Sequence, residues 1–168
     1  KEFKHNGNLK VKDFKEPDKV VREKEVINMV TEIPKVSYNI KVSLKDVDIN
    51  LRKFHLYLFI IFSCLFDDTS VFDEEAKENH IITNTISLNL LNCDSHLLIS
   101  LINETECYDE LIKKIDKTLK NIDISKDDLE RKKRVLISNE LFSFENIESI
   151  NDMIVDNIIF NNEIEVNM

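Results

Sequence analysis

The sequence contains few of the residues on which several common kinds of protein chemistry depend. Its 168 residues include one glycine, two prolines, three cysteines and no tryptophan. With its single glycine at position 7, the chain has no glycine-rich loop to cradle a phosphate group. For the same reason no serine lies in a glycine-flanked nucleophile elbow. Two of the most common local signatures of nucleotide binding and hydrolysis are therefore missing.

The three cysteines carry no recognisable metal or disulfide pattern. Cys64, Cys93 and Cys107 are odd in number and share no CxxC spacing. This argues against a disulfide framework and against a thiolate metal site. We expect free, buried thiols in a reducing compartment, and we therefore predict a cytoplasmic location.

Positive charge is scarce as well. Lysine and arginine number 23 against 32 acidic residues, so the net charge is −9, which repels phosphate backbones and anionic lipid surfaces. The only dense basic run, 131–134, directly follows Asp127, Asp128 and Glu130. Neither nucleic acid nor a membrane surface is a predicted partner.

No hydrophobic run is long enough to cross a bilayer. The most apolar stretch is 51–66, and its uncharged core spans 13 residues, 54–66. About 20 residues are needed to span a membrane, and shorter runs are more often buried helices. The stretch therefore predicts a core helix.

The chain divides into two parts. Residues 1–35 are charged and aperiodic and hold Gly7, Pro17 and Pro34, which predicts an extended interdomain linker arriving from a preceding domain. Residues 36–168 are predicted to form a single domain, because 42 % of the sequence is hydrophobic and can bury a core. Pro34 cannot donate to a β-ladder, so it marks the entry of the chain into the edge of a sheet.

Alternating patterns predict three strands. Apolar and polar residues alternate over 36–44, and again over 83–91 and 95–102, with a turn at 92–95. The last two segments form an antiparallel hairpin. The residues predicted to face the core are Val36, Tyr38, Ile40, Val42, Leu44, Ile86, Leu88, Leu90, Leu97, Ile99 and Leu101.

Helical periodicity fills the rest of the chain. A helix over 51–66 begins after Asp48 or Asn50, a short helix or a loop occupies 67–80, and three further helices begin near Thr105, at Ser125 and after Phe144. Their predicted buried stripes include Leu51, Phe54, Leu58, Ile61, Phe62, Leu65, Tyr57, Phe59, Ile60, Tyr108, Leu111, Ile112, Ile115, Leu119, Ile122, Ile147, Ile150, Ile154, Val155, Ile158 and Ile159. On the helix that begins at Ser125, one ridge is marked by Leu129, Lys132, Leu136 and Glu140, beside Val135 and Leu141. The order β, α, β, β, α, α predicts an α+β fold, with a mixed or antiparallel sheet and long helices packed on one face.

Few side chains suggest a reactive centre. His5, His55, His80 and His96 never stand at the helical spacing of a zinc site. His55 lies in an apolar helix and is interpreted as structural. Cys93 and His96 lie three residues apart across a predicted turn, where a histidine can activate a thiolate, but nothing supplies an oxyanion hole.

An acidic stretch offers the remaining candidate. His80 has Glu74, Glu75 and Glu78 nearby, which suggests either a weak metal site or, more simply, a solvated helix end. No catalytic, cofactor-binding or metal-binding residue is assigned anywhere in the chain.

Three stretches together resemble a known family. They are 14–42, the hairpin 81–104 and 107–160, in which a helix start "DDLERKKRVL" is followed by a short break at "FSFENIES". They look like the second, non-catalytic domain of an insulinase/pitrilysin-type zinc metallopeptidase half. The most similar branch is the bacterial, processing-peptidase-like one labelled YmfH-type.

The resemblance implies a LuxS/processing-peptidase-like half-unit fold. It implies a substrate-enclosing, C-terminal domain whose partners are a peptide substrate, a preceding catalytic domain and a homologous subunit. Peptide hydrolysis and Zn²⁺ would belong to an HxxEH motif in that preceding domain. This chain contains no HxxEH, no Arg follows Arg134 and no Tyr follows Tyr108, so no substrate-holding role passes to a particular residue.

Two alternatives stay open from the sequence. The chain is a scaffold or interaction module of a catalytically inactive family member, or it is an unrelated α+β binding domain. The metallopeptidase-domain hypothesis and the scaffold hypothesis both require the strand at 36–44 to lie beside the hairpin, with the long helices on one face of the sheet.

Overall fold

The computed structural model describes residues 16–93 and 95–161, with side chains as far as Val155. Within these ranges the chain forms three strands and five helices. In chain order they are β1 (Lys35–Ser43), α1 (Leu51–Phe66), α2 (Val71–Glu78), β2 (Ser87–Cys93), β3 (His96–Glu104), α3 (Tyr108–Lys120), α4 (Lys126–Ser143) and α5 (Ile147–Asn161). The predicted α+β fold class is confirmed.

The sheet is antiparallel and has the order β1-β3-β2. The hairpin strands pair with each other, and β1 lies beside β3, as the resemblance requires. Ile99 of β3 lies opposite Ile40 on one side and Leu90 on the other, so the apolar residues of all three strands share one face. Pro34 directly precedes β1, an edge strand, and its carbonyl accepts a 3.0 Å hydrogen bond from the Thr105 N–H.

Helices cover this apolar face of the sheet. The side chains of Leu97, Ile99 and Leu101 from β3 are fully buried in one cluster with residues from α1, α2 and α3. The rings of Phe66 and Phe72 meet edge to face, with centroids 4.9 Å apart, and so join α1 to α2. The members contributed by the helices are Phe62, Leu65, Phe66, Phe72, Ala76, Leu111 and Ile115. The predicted one-sided packing is confirmed.

Local capping explains where two of the long helices begin. The Asn50 side chain accepts hydrogen bonds from the N–H groups of Arg52 and Lys53 at the start of α1. At the start of α4 the Ser125 hydroxyl accepts from the Asp128 N–H at 3.0 Å. It also donates to the Asp128 carboxylate at 2.6 Å. Both helix starts were predicted.

The predicted start of α3 is wrong by two residues. Its N-cap is Cys107, whereas Thr105 was expected. The Thr105 hydroxyl donates to the Ile81 carbonyl at 2.5 Å and accepts from the Cys107 N–H at 3.0 Å. Thr105 therefore ties the end of β3 to the segment after α2, and α3 begins beyond that contact.

Several residues expected in the core are exposed. On α1 and α3 only the narrow face toward the sheet is covered, and α4 packs against α1 rather than against the sheet. The exposed members of the predicted stripes are Leu51, Tyr57, Phe59, Tyr108, Ile122, Val135, Leu141, Ile147 and Val155. The side chains of Ile158 and Ile159 lie outside the described residues, as do His5, Gly7 and the rest of 1–15.

One stretch passes a length-and-composition test for a membrane span. It is Leu51–Glu78, with 28 residues, and 33 % of its most apolar 18-residue segment is buried. The stretch is interrupted between α1 and α2, and Phe62, Leu65 and Phe72 within it belong to the core cluster. One side of the stretch therefore packs as predicted for a core helix, whereas Leu56, Tyr57 and Phe59 on α1 are exposed.

Candidate functional site

The face of the sheet opposite the helices is largely open. Because side chains alternate along a strand, the residues that precede and follow each buried residue point to this second face. Ser37 and Asn39 of β1 and Asn89 of β2 are exposed there, and Ser100 of β3 between them is half-buried. Leu98 and Ile102, on either side of Ser100 along the outward side of the central strand, are also half-buried. We call this surface the open face.

Hydroxyl and amide groups form a small network on the open face. The Asn39 side-chain oxygen accepts from the Ser100 hydroxyl at 2.6 Å and from the Ser37 hydroxyl at 3.1 Å. The Asn39 amide donates to the Ser37 carbonyl at 3.2 Å. These groups give the open face a polar, uncharged centre that can exchange hydrogen bonds with a ligand.

The hairpin end of the open face is covered by a short acidic segment. We call this segment, Glu16–Asp18, the strap. The Lys41 ammonium donates to the Glu16 carboxylate at 2.6 Å and to the Pro17 carbonyl at 2.5 Å. The Lys45 ammonium donates to both carboxylate oxygens of Asp18, at 2.7 and 2.8 Å. Residues 16–34 contain neither helix nor strand, so these contacts hold the strap in place.

The acidic side chains of the strap are paired with basic side chains beneath it. A hydrogen bond from Lys41 lowers the pKa of Glu16 below its usual value. The corresponding hydrogen bond from Lys45 lowers the pKa of Asp18. Both carboxylates are therefore held in the ionised form by basic side chains of β1 and of the segment that follows it.

His96 lies under the strap with only 2 % of its surface exposed. Its Nδ1 is 2.8 Å from the Ser95 hydroxyl. Its Nε2 is 3.4 Å from an Asp18 carboxylate oxygen, which is close enough for a charge interaction, but it has no hydrogen-bond partner among the described residues. One nitrogen of the ring is thus anchored and the other is buried and unsatisfied, which is an uncommon state for a polar atom.

The pairing of the hairpin brings Cys93 and His96 together. They lie directly opposite each other in the register of β2 and β3, on the same side of the sheet. Both line a cleft of about 280 Å³, whose other walls come from Glu16, Lys41, Ser95, Leu97 and Leu98. Cys93 is exposed, so the prediction of three buried thiols is wrong for this residue, while Cys64 and Cys107 are half-buried.

His55 and His80 occupy structural positions. Nε2 of His55 is 2.7 Å from the Asn92 side-chain oxygen, a contact that ties α1 to β2. His80 has a φ of 56° and ends the turn after α2. Glu75, one of its acidic neighbours, accepts a 2.5 Å hydrogen bond from Lys114 on α3. Across the described ranges, no three His, Cys, Asp or Glu side chains converge to hold a metal ion.

Sequence reasoning missed two polar features. One is the strap. Its only signal in the sequence was the presence of acidic residues in the predicted linker and of basic residues on the polar side of β1. The other is Lys132, which is only 8 % exposed and donates to the Asp67 carboxylate and, at 2.9 Å, to the Thr69 hydroxyl. This contact fixes α4 against the end of α1. Its only signal was the position of Lys132 on the predicted ridge with Leu129, Leu136 and Glu140.

A second cleft, of about 380 Å³, lies between α2, α3 and the start of α4. Its walls combine the basic Lys114 and Lys117 with the acidic Glu75 and Asp128, and Cys64 lies at one side. Burial raises the pKa of the Cys64 thiol, so that thiol is kept in its neutral form. The mixed charges single out no ligand class.

The comparisons with known proteins bear on the fold. No family model matches the chain, and no curated protein matches it. A crystal structure from Alicyclobacillus acidocaldarius, of a protein assigned as an M16-like peptidase, is similar with a TM-score of 0.64 and 17 % sequence identity. The similarity covers 71 % of this chain but 29 % of that one, so this chain spans under a third of that protein's length. The described architecture is therefore similar to one part of an M16-like peptidase.

Proposed function

We propose that this chain is a non-catalytic, substrate-enclosing domain of an insulinase-type (M16) zinc metallopeptidase, from the YmfH-type branch. Two independent observations support the proposal. The sequence resembles the second domain of such a half over 14–160, and the fold is similar to part of a longer M16-like peptidase. Because fold alone does not imply function, the proposal also depends on the composition of the open face.

The one-sided sheet is the observation on which the proposal depends. All core helices lie on one face, and the other face presents Ser37, Asn39, Ser100 and Asn89 toward solvent. Half-buried Leu98 and Ile102 add apolar contact area between these polar groups. The centre of this surface suits peptide chains of varied sequence, since its side chains offer hydrogen bonds and apolar contact and carry no charge. In the parent protein this face would form one wall of the chamber.

The chemistry of hydrolysis would belong to a different domain. In the parent enzyme, a zinc ion held by an HxxEH motif would activate the water that attacks the peptide carbonyl. The role left to this chain is to hold the peptide through the open face and to exclude bulk water around it. No residue of this chain is proposed to touch the reacting atoms.

Exposed apolar residues on α4 and α5 support the proposal that the chain contacts other protein domains. Ile137 and Leu141 on α4, Phe142 beside them and Ile147 at the start of α5 are all at least 59 % exposed. Large apolar side chains grouped in this way commonly mark a protein interface. The preceding catalytic domain and a homologous subunit are the partners that we propose for this surface.

The test requires the longer protein that contains this chain. Ser100→Trp would place a large ring in the middle of the open face, and we expect it to raise the KM for peptide cleavage about tenfold, a loss of about 1.4 kcal/mol. Neither kcat nor the zinc content should change. Lys113→Trp, at an exposed position of α3 outside both proposed surfaces, is the control and should leave KM unchanged.

Two results would contradict the proposal. Equal KM values for both tryptophan variants would show that the open face does not meet substrate. A tightly bound zinc ion in the 168-residue chain itself, detected by elemental analysis, would show that the metal site lies here. An intact parent protein without zinc and without peptidase activity would instead favour a scaffold role in an inactive family member.

A further inference from the structure

We propose that Lys41, Lys45 and His96 form a binding site for the carboxylates of acidic peptide segments, and that the strap occupies this site as an internal ligand. The inference rests on the proposed function, because the site lies at the hairpin end of the same open face. It adds a substrate class to that function, namely peptides that carry acidic side chains close together.

The strap shows how a carboxylate is held. Glu16 receives one hydrogen bond from Lys41, and Asp18 receives two from Lys45, all between 2.6 and 2.8 Å. Lys41 donates in addition to the backbone carbonyl of Pro17, so the site binds main chain as well as side chain. The Lys41 side chain is only 14 % exposed, which strengthens its interaction with a carboxylate relative to a fully solvated lysine.

The strap leaves part of the site unfilled. Nε2 of His96 is buried and lies 3.4 Å from Asp18 without a hydrogen bond among the described residues. The cleft of about 280 Å³ continues beside it, lined by Cys93, Ser95 and Leu98. A ligand that enters this cleft can bring a carboxylate to hydrogen-bonding distance of Nε2, which the strap does not do. An unsatisfied buried nitrogen favours such a ligand, because pairing it removes the penalty of its burial.

The contacts of the strap are weak enough to be exchanged. The side chains of Glu16 and Asp18 are more than half exposed, and so is that of Lys45. Exposed ion pairs of this kind contribute little to stability. The strap nevertheless competes strongly with a free peptide, because a tethered ligand acts at an effective concentration in the millimolar range. Weakening the strap should therefore open the site.

The net negative charge of the whole chain opposes the binding of acidic peptides. At a net charge of −9 the protein repels acidic peptides at long range, so any binding must come from short-range contacts with this basic group of side chains. Removing one of these lysines should then matter far more than removing a lysine elsewhere. Lys120, exposed at the end of α3, offers that control.

The experiment measures fluorescence anisotropy of a labelled peptide with the strap sequence, 14–20, titrated with the 168-residue chain. The variant Glu16→Gln with Asp18→Asn should bind this peptide about tenfold more tightly than the unaltered chain. Adding Lys41→Met should abolish the gain, whereas adding Lys120→Met should preserve it. A peptide with glutamine and asparagine at the two acidic positions should bind no better to the strap variant. Circular dichroism melts of each variant check that the fold is retained.

Two outcomes would overturn the inference. One is the absence of binding by the strap variant at millimolar concentration of the acidic peptide. The other is an equal loss on Lys41→Met and Lys120→Met, which would indicate general charge attraction. Either result, together with a raised KM for Ser100→Trp in the parent protein, would remove the acidic preference and leave the proposed function intact. Either binding result together with an unchanged KM for Ser100→Trp would contradict both the acidic preference and the proposed function.

Discussion

The two faces of strand β3 behave very differently. Leu97, Ile99 and Leu101 point to the helices and are at most 1 % exposed. Leu98 and Ser100, which alternate with them, point to the open face and are half-buried. One strand therefore carries fold stability on one side and the proposed ligand contacts on the other. The comparison separates residues that can be changed without unfolding the chain from those that cannot.

The largest expected effect contrasts aspartate at two adjacent positions of β3. Ile99→Asp buries an unpaired charge against α1 and α3 and should lower the free energy of unfolding by more than about 4 kcal/mol. Since domains are stable by only about 5–15 kcal/mol, this variant should be largely unfolded. Ser100→Asp, on the open face, should lower it by less than about 1 kcal/mol. Urea denaturation followed by circular dichroism compares them, and similar stabilities would show that the faces are misassigned.

The next contrast moves from the sheet to the helices that cover it. Leu111 on α3 is fully buried in the core cluster, whereas Ile137 on α4 is 59 % exposed. Leu111→Ala should lower the free energy of unfolding by about 2–5 kcal/mol through lost contacts and the cavity that remains. Ile137→Ala should change it by no more than about 0.5 kcal/mol. A large effect at Ile137 would mean that a second copy of the chain covers α4 in solution.

A third contrast compares two lysines that bind carboxylates. Lys132→Met removes a buried ammonium from Asp67 and Thr69 and should lower the free energy of unfolding by about 1–3 kcal/mol. Lys45→Met removes an exposed pair with Asp18 on the open-face side and should leave the free energy of unfolding nearly unchanged. Equal effects of the two substitutions would show that burial does not distinguish these ion pairs.

The Lys132 contact also predicts a dependence on pH. Burial raises the pKa of Asp67, but hydrogen bonds from Lys132 and the Thr69 N–H outweigh it and lower the pKa from 3.8 to about 2. Because the pKa is depressed in the folded state, the stabilisation is complete above pH 3.8 and is lost as the pH falls toward 2. The stability difference between the unaltered chain and Lys132→Met should therefore be largest at pH 5 and shrink by pH 2.5. A constant difference would contradict this assignment.

The smallest contrast lies within β1. The Tyr38 hydroxyl, on the covered side, donates to the Asp116 carboxylate at 2.6 Å, and burial together with this hydrogen bond raises the pKa of Tyr38 to about 12. Tyr38→Phe should lower the free energy of unfolding by about 1 kcal/mol. Asn39→Ala, the next residue and on the open face, should change it by less than about 0.5 kcal/mol. Paired thermal melts measure the difference, and a larger loss at Asn39 would reverse the assignment of faces.

Local patterns in the sequence predicted much of the fold. The alternation of apolar residues identified all three strands and their inward faces, because the period of a strand is two and one face must be buried. The bounds of β2 were wrong, since it covers Ser87–Cys93 rather than 83–91 and includes Asn92 and Cys93 of the predicted turn. Ser125 with Asp128 identified the start of α4 for a local reason, since capping involves residues three apart. Thr105 failed as a cap because its hydroxyl bonds to Ile81, a residue distant in sequence. Tyr108 and Ile122 extended the stripe of α3 beyond the part that the sheet covers.

The candidate site was only partly predictable. The closeness of Cys93 and His96 followed from the hairpin, in which residues on either side of a short turn are paired. The strap was not predictable, because Glu16 and Asp18 are separated from Lys41 and Lys45 by more than twenty residues. Nothing in the spacing of these charges says which of the 32 acidic residues meets which lysine.

By itself, the sequence determined the alternation that builds the sheet, the apolar runs that become core helices and the net negative charge of the chain, because each depends on composition or on near neighbours. Only the tertiary structure decided which sheet face remains open, which helix residues stay uncovered and which side chains meet the strap. Those outcomes depend on how elements distant in the chain pack against one another, and local periodicity carries no information about that packing.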